Sequence, residues 1–208
     1  DMPRSMLTTK SVAAEVDYQS KNGNVKENFM VDFTASKDFG ETAQRRELFL
    51  DGSMPYSTYK ASNTSHAYKL LAKNNLKLTI PNKIYTDIGV DFTYNKYKGN
   101  GESISEDFLD SINTRLRSSH YNDGYSYRVG VGGFISPRIN NPILRPLAIF
   151  YGFNHSEDRN ETARAYLTEQ FVNASVQTQY NANDFHHRET NGSIHLAWDK
   201  ELFRNLRL

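Results

Sequence analysis

Apolar and polar residues alternate with a period of two along most of this chain. Leu76, Leu78 and Ile80 share one face of an extended backbone, and Ile84, Ile88, Val90, Phe92 and Tyr94 resume that face after Pro81-Asn82-Lys83. The other face takes Lys77, Thr79, Asp87, Asp91 and Thr93. Because successive side chains of a strand point to opposite sides, this pattern predicts a hairpin with one apolar and one polar face.

The same pattern recurs on both sides of that hairpin. Val12, Ala14, Val16 and Tyr18 lead into a turn at 21–24, where Asn22-Gly23 suits positive φ, and Phe29, Val31, Phe33 and Ala35 follow it. Residues 41–52 read as a strand of unclear register, and 52–65 as loop. Tyr68, Leu70 and Ala72 then lead into the hairpin. A polar segment runs from Tyr97 to about Asp123. Strands are expected at 125–135, 147–155, 165–180 and 191–199, separated by a turn with three prolines (136–146) and a charged loop (156–164). No linker divides the chain, so residues 1–208 read as one all-β domain: an antiparallel up-and-down meander of roughly ten long strands, forming a β-barrel or part of one. One segment departs from the pattern. In 103–117, Ser103 and Glu106 have capping-box spacing, and Phe108, Leu109, Ile112 and Leu116 fall at helical spacing. A short amphipathic helix within a loop is expected there.

Composition narrows the classes. Only 38% of residues are hydrophobic, yet 13 Tyr and 12 Phe are present. This suits β structure that is wet on one face, and also membrane barrels, whose apolar residues sit at every second position. The formal net charge is +1 and the basic residues form no stripe along the sequence, so no nucleic-acid partner is expected. Cysteine is absent, which removes disulfide and thiolate chemistry. No apolar run reaches the ~18 residues of a membrane helix, so contact with a bilayer would have to be made by strands. No signal peptide is visible, which is expected of a mature protein or an internal fragment.

The two faces therefore look either at core and water or at lipid and a wet lumen. Strand length favours the second, since residues 84–97 alternate for longer than the 5–6 residues usual in soluble sheets. Uneven connections point the same way, with a three-residue turn followed by a link of about 25 residues. Tyr68, Tyr94, Tyr97, Tyr125, Tyr127, Tyr151 and Tyr166 lie toward strand ends, as an aromatic girdle would. The direction in which Ile88, Val90 and Phe92 point distinguishes the two environments.

The runs YKLLAKNNLKLTIPNKIYTDIGVDFTYNKYKG (68–99) and NGSIHLAWDKELFRNLRL (191–208) resemble barrel strands of TonB-dependent outer-membrane receptors and related outer-membrane β-barrels. The resemblance lies in strand style across most of the chain. It implies a segment of a barrel of about 22 strands, in the outer membrane of a Gram-negative bacterium, that takes up a nutrient with TonB-type energy coupling. Neither plug nor TonB box is visible. Membrane lipid is then the expected partner, and Asp87, Asp91, Arg128 and Asn154 are the candidate lumen-facing residues. The alternative is a soluble or periplasmic barrel or sandwich binding a small or lipidic ligand or a protein.

Catalytic and cofactor chemistry finds little footing. His186-His187 beside Asp184 is the one histidine cluster, but neighbours on a strand face opposite ways, so a solvated turn is expected there. The glycine-rich 129–134 lies within a strand with no helix after it, which disfavours phosphate binding. No local Ser-His arrangement suggests a hydrolase. No enzymatic activity, metal or cofactor is expected.

Overall fold

A computed structural model describes residues 4–47, 56–109, 112–137, 147–171, 174–198, 201–203 and 206–207. Seven strands run β1 Arg4–Gln19, β2 Val25–Glu47, β3 Tyr56–Ile80, β4 Ile84–Leu109, β5 Ile112–Pro137, β6 Leu147–Gln170 and β7 Ser175–Trp198. Each pairs antiparallel with its neighbours in sequence, giving one meander sheet in the order β1 to β7. The sheet is not closed: β1 and β7 are its edges. Two short strands, β8 Glu201–Phe203 and β9 Leu206–Arg207, pair with each other.

Seven long strands replace the roughly ten expected. The polar stretches that read as loops are strand: residues 56–65 belong to β3, 97–109 and 112–123 to the β4–β5 hairpin, and 156–164 to β6. From β2 to β7 the strands hold 23–26 residues each. At ~3.3 Å per residue they extend about 75–85 Å, far beyond the ~9–11 residues a bilayer requires. The long link after the opening hairpin is therefore continued ladder.

No helix is present among the described residues, and the expected helix at 103–117 is instead the far end of the β4–β5 hairpin. The ladder supplies partners that a lone helical turn lacks. Ser103 Oγ lies 2.7 Å from Ser118 Oγ, and Arg115 Nε donates to Glu106 at 2.6 Å. Phe108 stacks on Tyr56 of β3, ring centroids 4.5 Å apart.

The tight turns form as expected. In the 81–83 turn Asn82 has φ 57°, and in the β1–β2 turn Gly23 alone carries positive φ, at 70°. Asn22 contributes its side chain instead, its Oδ1 accepting from Asn24 N at 3.2 Å. Of the proline-rich segment, Ser136 and Pro137 end β5, and 138–146 lie outside the described residues.

Register assigns every strand residue to a face. One row across the sheet runs Val16, Phe29, Asn74, Val90, Val131, Phe153, Gly192. The next runs Ala14, Val31, Ala72, Phe92, Val129, His155, Thr190. These rows belong to an apolar belt at the tight-turn end of one face, which takes in Val12, Phe33, Leu70, Ile88, Ile149 and Leu196 as well. No hydrophobic side chain is buried among the described residues; Val90 is 41% exposed, Phe153 46% and Leu196 71%. Ile88, Val90 and Phe92 thus converge on no interior core.

Candidate functional site

The face opposite the belt is polar, and it gathers the four residues singled out in the sequence. Asp87 and Asp91 lie on β4 with an even spacing that keeps them on one side. Across the sheet Asp91 faces Gly130, which faces Asn154, which faces Asn191. Arg128 is two residues from Gly130, and its Nη2 donates to Asn154 Oδ1 at 3.0 Å. The structure therefore brings Asp87, Asp91, Arg128 and Asn154 onto one face.

Charge and hydrogen bonding on this face are mixed. Lys77 Nζ lies 3.7 Å from Asp87 Oδ2, a partly exposed pair that contributes modestly to stability. Asn95 Nδ2 donates to Ser126 Oγ at 3.1 Å. The Asp91 carboxylate lies directly over Gly130, in the space that any Cβ there would occupy. Gly89, Gly132 and Gly152 form a row beside it, so the sheet surface is nearly bare backbone at that level.

Further from the tight turns, the polar face carries residues that sequence reading did not connect: Tyr97, Asn122, Asp158 and Asn160. Burial raises the Tyr97 phenol pKa, with Asp158 and Asp123 adding to the effect, so it stays a neutral donor. Asn122 Oδ1 and Asn160 Oδ1 have no hydrogen-bond partner among the described residues. Tyr97 and Tyr166, expected in the aromatic girdle, lie by register on this polar face. Parity gives the reason: Tyr97 is three residues from Tyr94, and an odd spacing reverses the side. Of the expected girdle, Tyr68, Tyr94, Tyr125 and Tyr127 lie together at the far edge of the apolar belt, with Tyr151 within it.

The belt resolves its own polar groups. Thr86 is 7% exposed, and its hydroxyl donates to the Phe134 carbonyl at 2.9 Å. Asn74 donates to Glu27 at 2.9 Å. Beyond the belt on β6, Glu157 accepts from Tyr125 at 2.9 Å, Tyr127 at 3.1 Å and Arg188 Nη2 at 2.9 Å. The Tyr125 hydrogen bond, followed by Arg188, brings the Glu157 carboxyl pKa down to about 2.

His186 and His187 lie within β7 and not in a turn, and they face opposite ways: His186 Nε2 is 3.2 Å from Glu157 Oε1, and His187 Nε2 is 3.9 Å from Glu189 Oε2. No group of three metal-ligating side chains converges among the described residues. Comparison with models of protein families and with curated proteins finds no match.

Proposed function

We propose that this chain forms part of the wall of an outer-membrane β-barrel, with the belt toward lipid and the polar face lining a wet passage. The observation that carries the reading is the belt itself. The belt takes in 12–18 of β1, 25–35 of β2, 68–80 of β3, 84–94 of β4, 125–137 of β5, 147–153 of β6 and 194–198 of β7. At ~3.3 Å per residue and ~4.8 Å per strand it covers on the order of 1,000 Å² of sheet, above the ~300–600 Å² typical of a soluble monomer's largest patch. On β4 the belt spans Ile84–Tyr94. At ~3.3 Å per residue and a ~45° tilt, that is about 25 Å of height, the thickness of an outer-membrane apolar band.

The open edges support the same reading. Strands β1 and β7 run in the same direction, so an even-numbered antiparallel barrel is completed by an odd number of further strands.

With the resemblance to TonB-dependent receptors, the role we assign is nutrient uptake. A ligand held at the strand overhang passes along the face that carries Asp87, Asp91, Arg128 and Asn154, driven by TonB-type coupling in the whole receptor. The test uses the single tryptophan, Trp198, which lies on the apolar face. With the chain in phosphatidylcholine vesicles, brominated acyl chains should quench Trp198 strongly. A chain that stays monomeric in buffer without detergent, with Trp198 insensitive to brominated lipid, would instead establish the soluble reading.

A further inference from the structure

We infer that the apolar face carries, just beyond the belt, a binding patch for phosphate-bearing anionic lipid headgroups, formed by Lys10, Lys37, Lys96 and Lys98. The inference rests on the lipid-facing reading of the belt. Lys37, His66 and Lys98 stand directly opposite one another on β2, β3 and β4. The adjacent row toward the belt runs Lys10, Ala35, Tyr68, Lys96. All four lysines are exposed, and Tyr68 lies among them. Strand spacing places Lys37 and Lys98 about 10 Å apart, and the two rows about 7 Å apart, a span that one or two phosphate groups bridge.

The charges elsewhere on this rim are already matched. On β5 to β7, Glu157 takes Arg188 and His186, and Arg159 takes Glu161 and Asp184. None of Lys10, Lys37, Lys96 and Lys98 has an ion-pair partner among the described residues. Lys98 lies over the Tyr121 ring at 5.7 Å. The acid opposite it, Asp123, accepts from the Tyr121 hydroxyl at 2.8 Å. Lys10 and Lys37 are diagonal neighbours across β1 and β2, and Lys96 and Lys98 lie two apart on one face of β4. Like charges therefore sit about 7 Å apart and repel, and anions from outside the sheet relieve that repulsion. Its position decides their source: it begins in the Tyr68 row, one row past Tyr94, at headgroup depth, where each lysine near an anionic surface strengthens binding about fivefold.

The test compares the full chain in phosphatidylcholine vesicles with vesicles in which about one fifth of the lipid is phosphatidylglycerol. Trp198 quenching reports insertion, and flotation reports affinity. Phosphatidylglycerol should tighten binding of the native chain by tenfold or more at low salt, and high salt should erase the gain. The variant K37Q/K96Q/K98Q should still insert into phosphatidylcholine but lose the gain. The charge-matched variant K26Q/K69Q/K73Q, altered on the polar face, should keep it. An equal gain in all three proteins, or an equal loss in both variants, overturns the patch while leaving the lipid-facing belt standing. Failure of the native chain to insert into either vesicle overturns the belt reading, and the patch with it.

Discussion

Arginine placed at Val90 should distinguish a lipid-facing belt from any other use of the apolar face. Val90 is near the middle of the β4 belt, six residues from Ile84 and four from Tyr94, and 41% exposed. At ~3.3 Å per residue and a ~45° tilt, it lies about 9–14 Å from either belt edge, too deep for easy escape of a guanidinium. Val90→Arg should therefore cost about 2–4 kcal/mol, as cationic substitutions do at the midplane of a membrane barrel. Asn75 is the matched control: it faces Gly89, next to Val90 in sequence, on the polar side of the sheet. Asn75→Arg should cost no more than ~0.5 kcal/mol. Urea unfolding of both variants from phosphatidylcholine vesicles measures the difference. If Val90→Arg matches the native protein, or if Asn75→Arg costs as much, the assignment of faces to lipid and water is wrong.

Three further outcomes follow from the geometry. Because the Glu157 pKa falls from 4.5 to about 2 in the folded chain, the unfolded state binds more protons between those values. Its stabilising effect is complete above about pH 5 and is lost as pH falls toward 2; the melting temperature of Glu157→Gln should not show that component in an acid series. Gly130→Ala places a methyl group where the Asp91 carboxylate lies, so it should destabilise by about 1–3 kcal/mol, and Asp91→Ala should rescue it, giving a coupling energy in a double-mutant cycle of denaturation midpoints. Asn82 holds φ 57° in the β3–β4 turn; Asn82→Ala should cost about 1 kcal/mol and Asn82→Gly close to nothing, read from unfolding midpoints.

Local alternation made several features legible. It placed Ile88, Val90 and Phe92 on one side and Asp87 and Asp91 on the other, and it located the turns at Gly23 and Asn82. Parity within a strand requires no knowledge of neighbours, so these readings depend on backbone geometry alone. The same arithmetic separates Tyr97 from Tyr94, although grouping tyrosines by proximity to strand ends obscured it. Residues 103–117 carry a helical spacing of apolar residues and yet form strand, so local spacing alone does not decide their structure. Ladders to β3 on one side and β6 on the other settle it, with contacts such as Phe108 on Tyr56 and Arg115 on Glu106.

What the sequence by itself determined is the all-β class, the two-faced character of each strand and the tight turns, because these follow from neighbours one to four residues apart. Strand number, strand length and shared faces came only from tertiary structure. Polar stretches such as 97–109 and 156–164 look like loops until a paired strand supplies partners for their backbone groups. That Arg128 and Asn154 join Asp87 and Asp91, or that Lys10, Lys37, Lys96 and Lys98 meet in two adjacent rows, depends on register across several strands. Register is a long-range property: shifting one strand by a single residue would exchange its faces and scatter both groups.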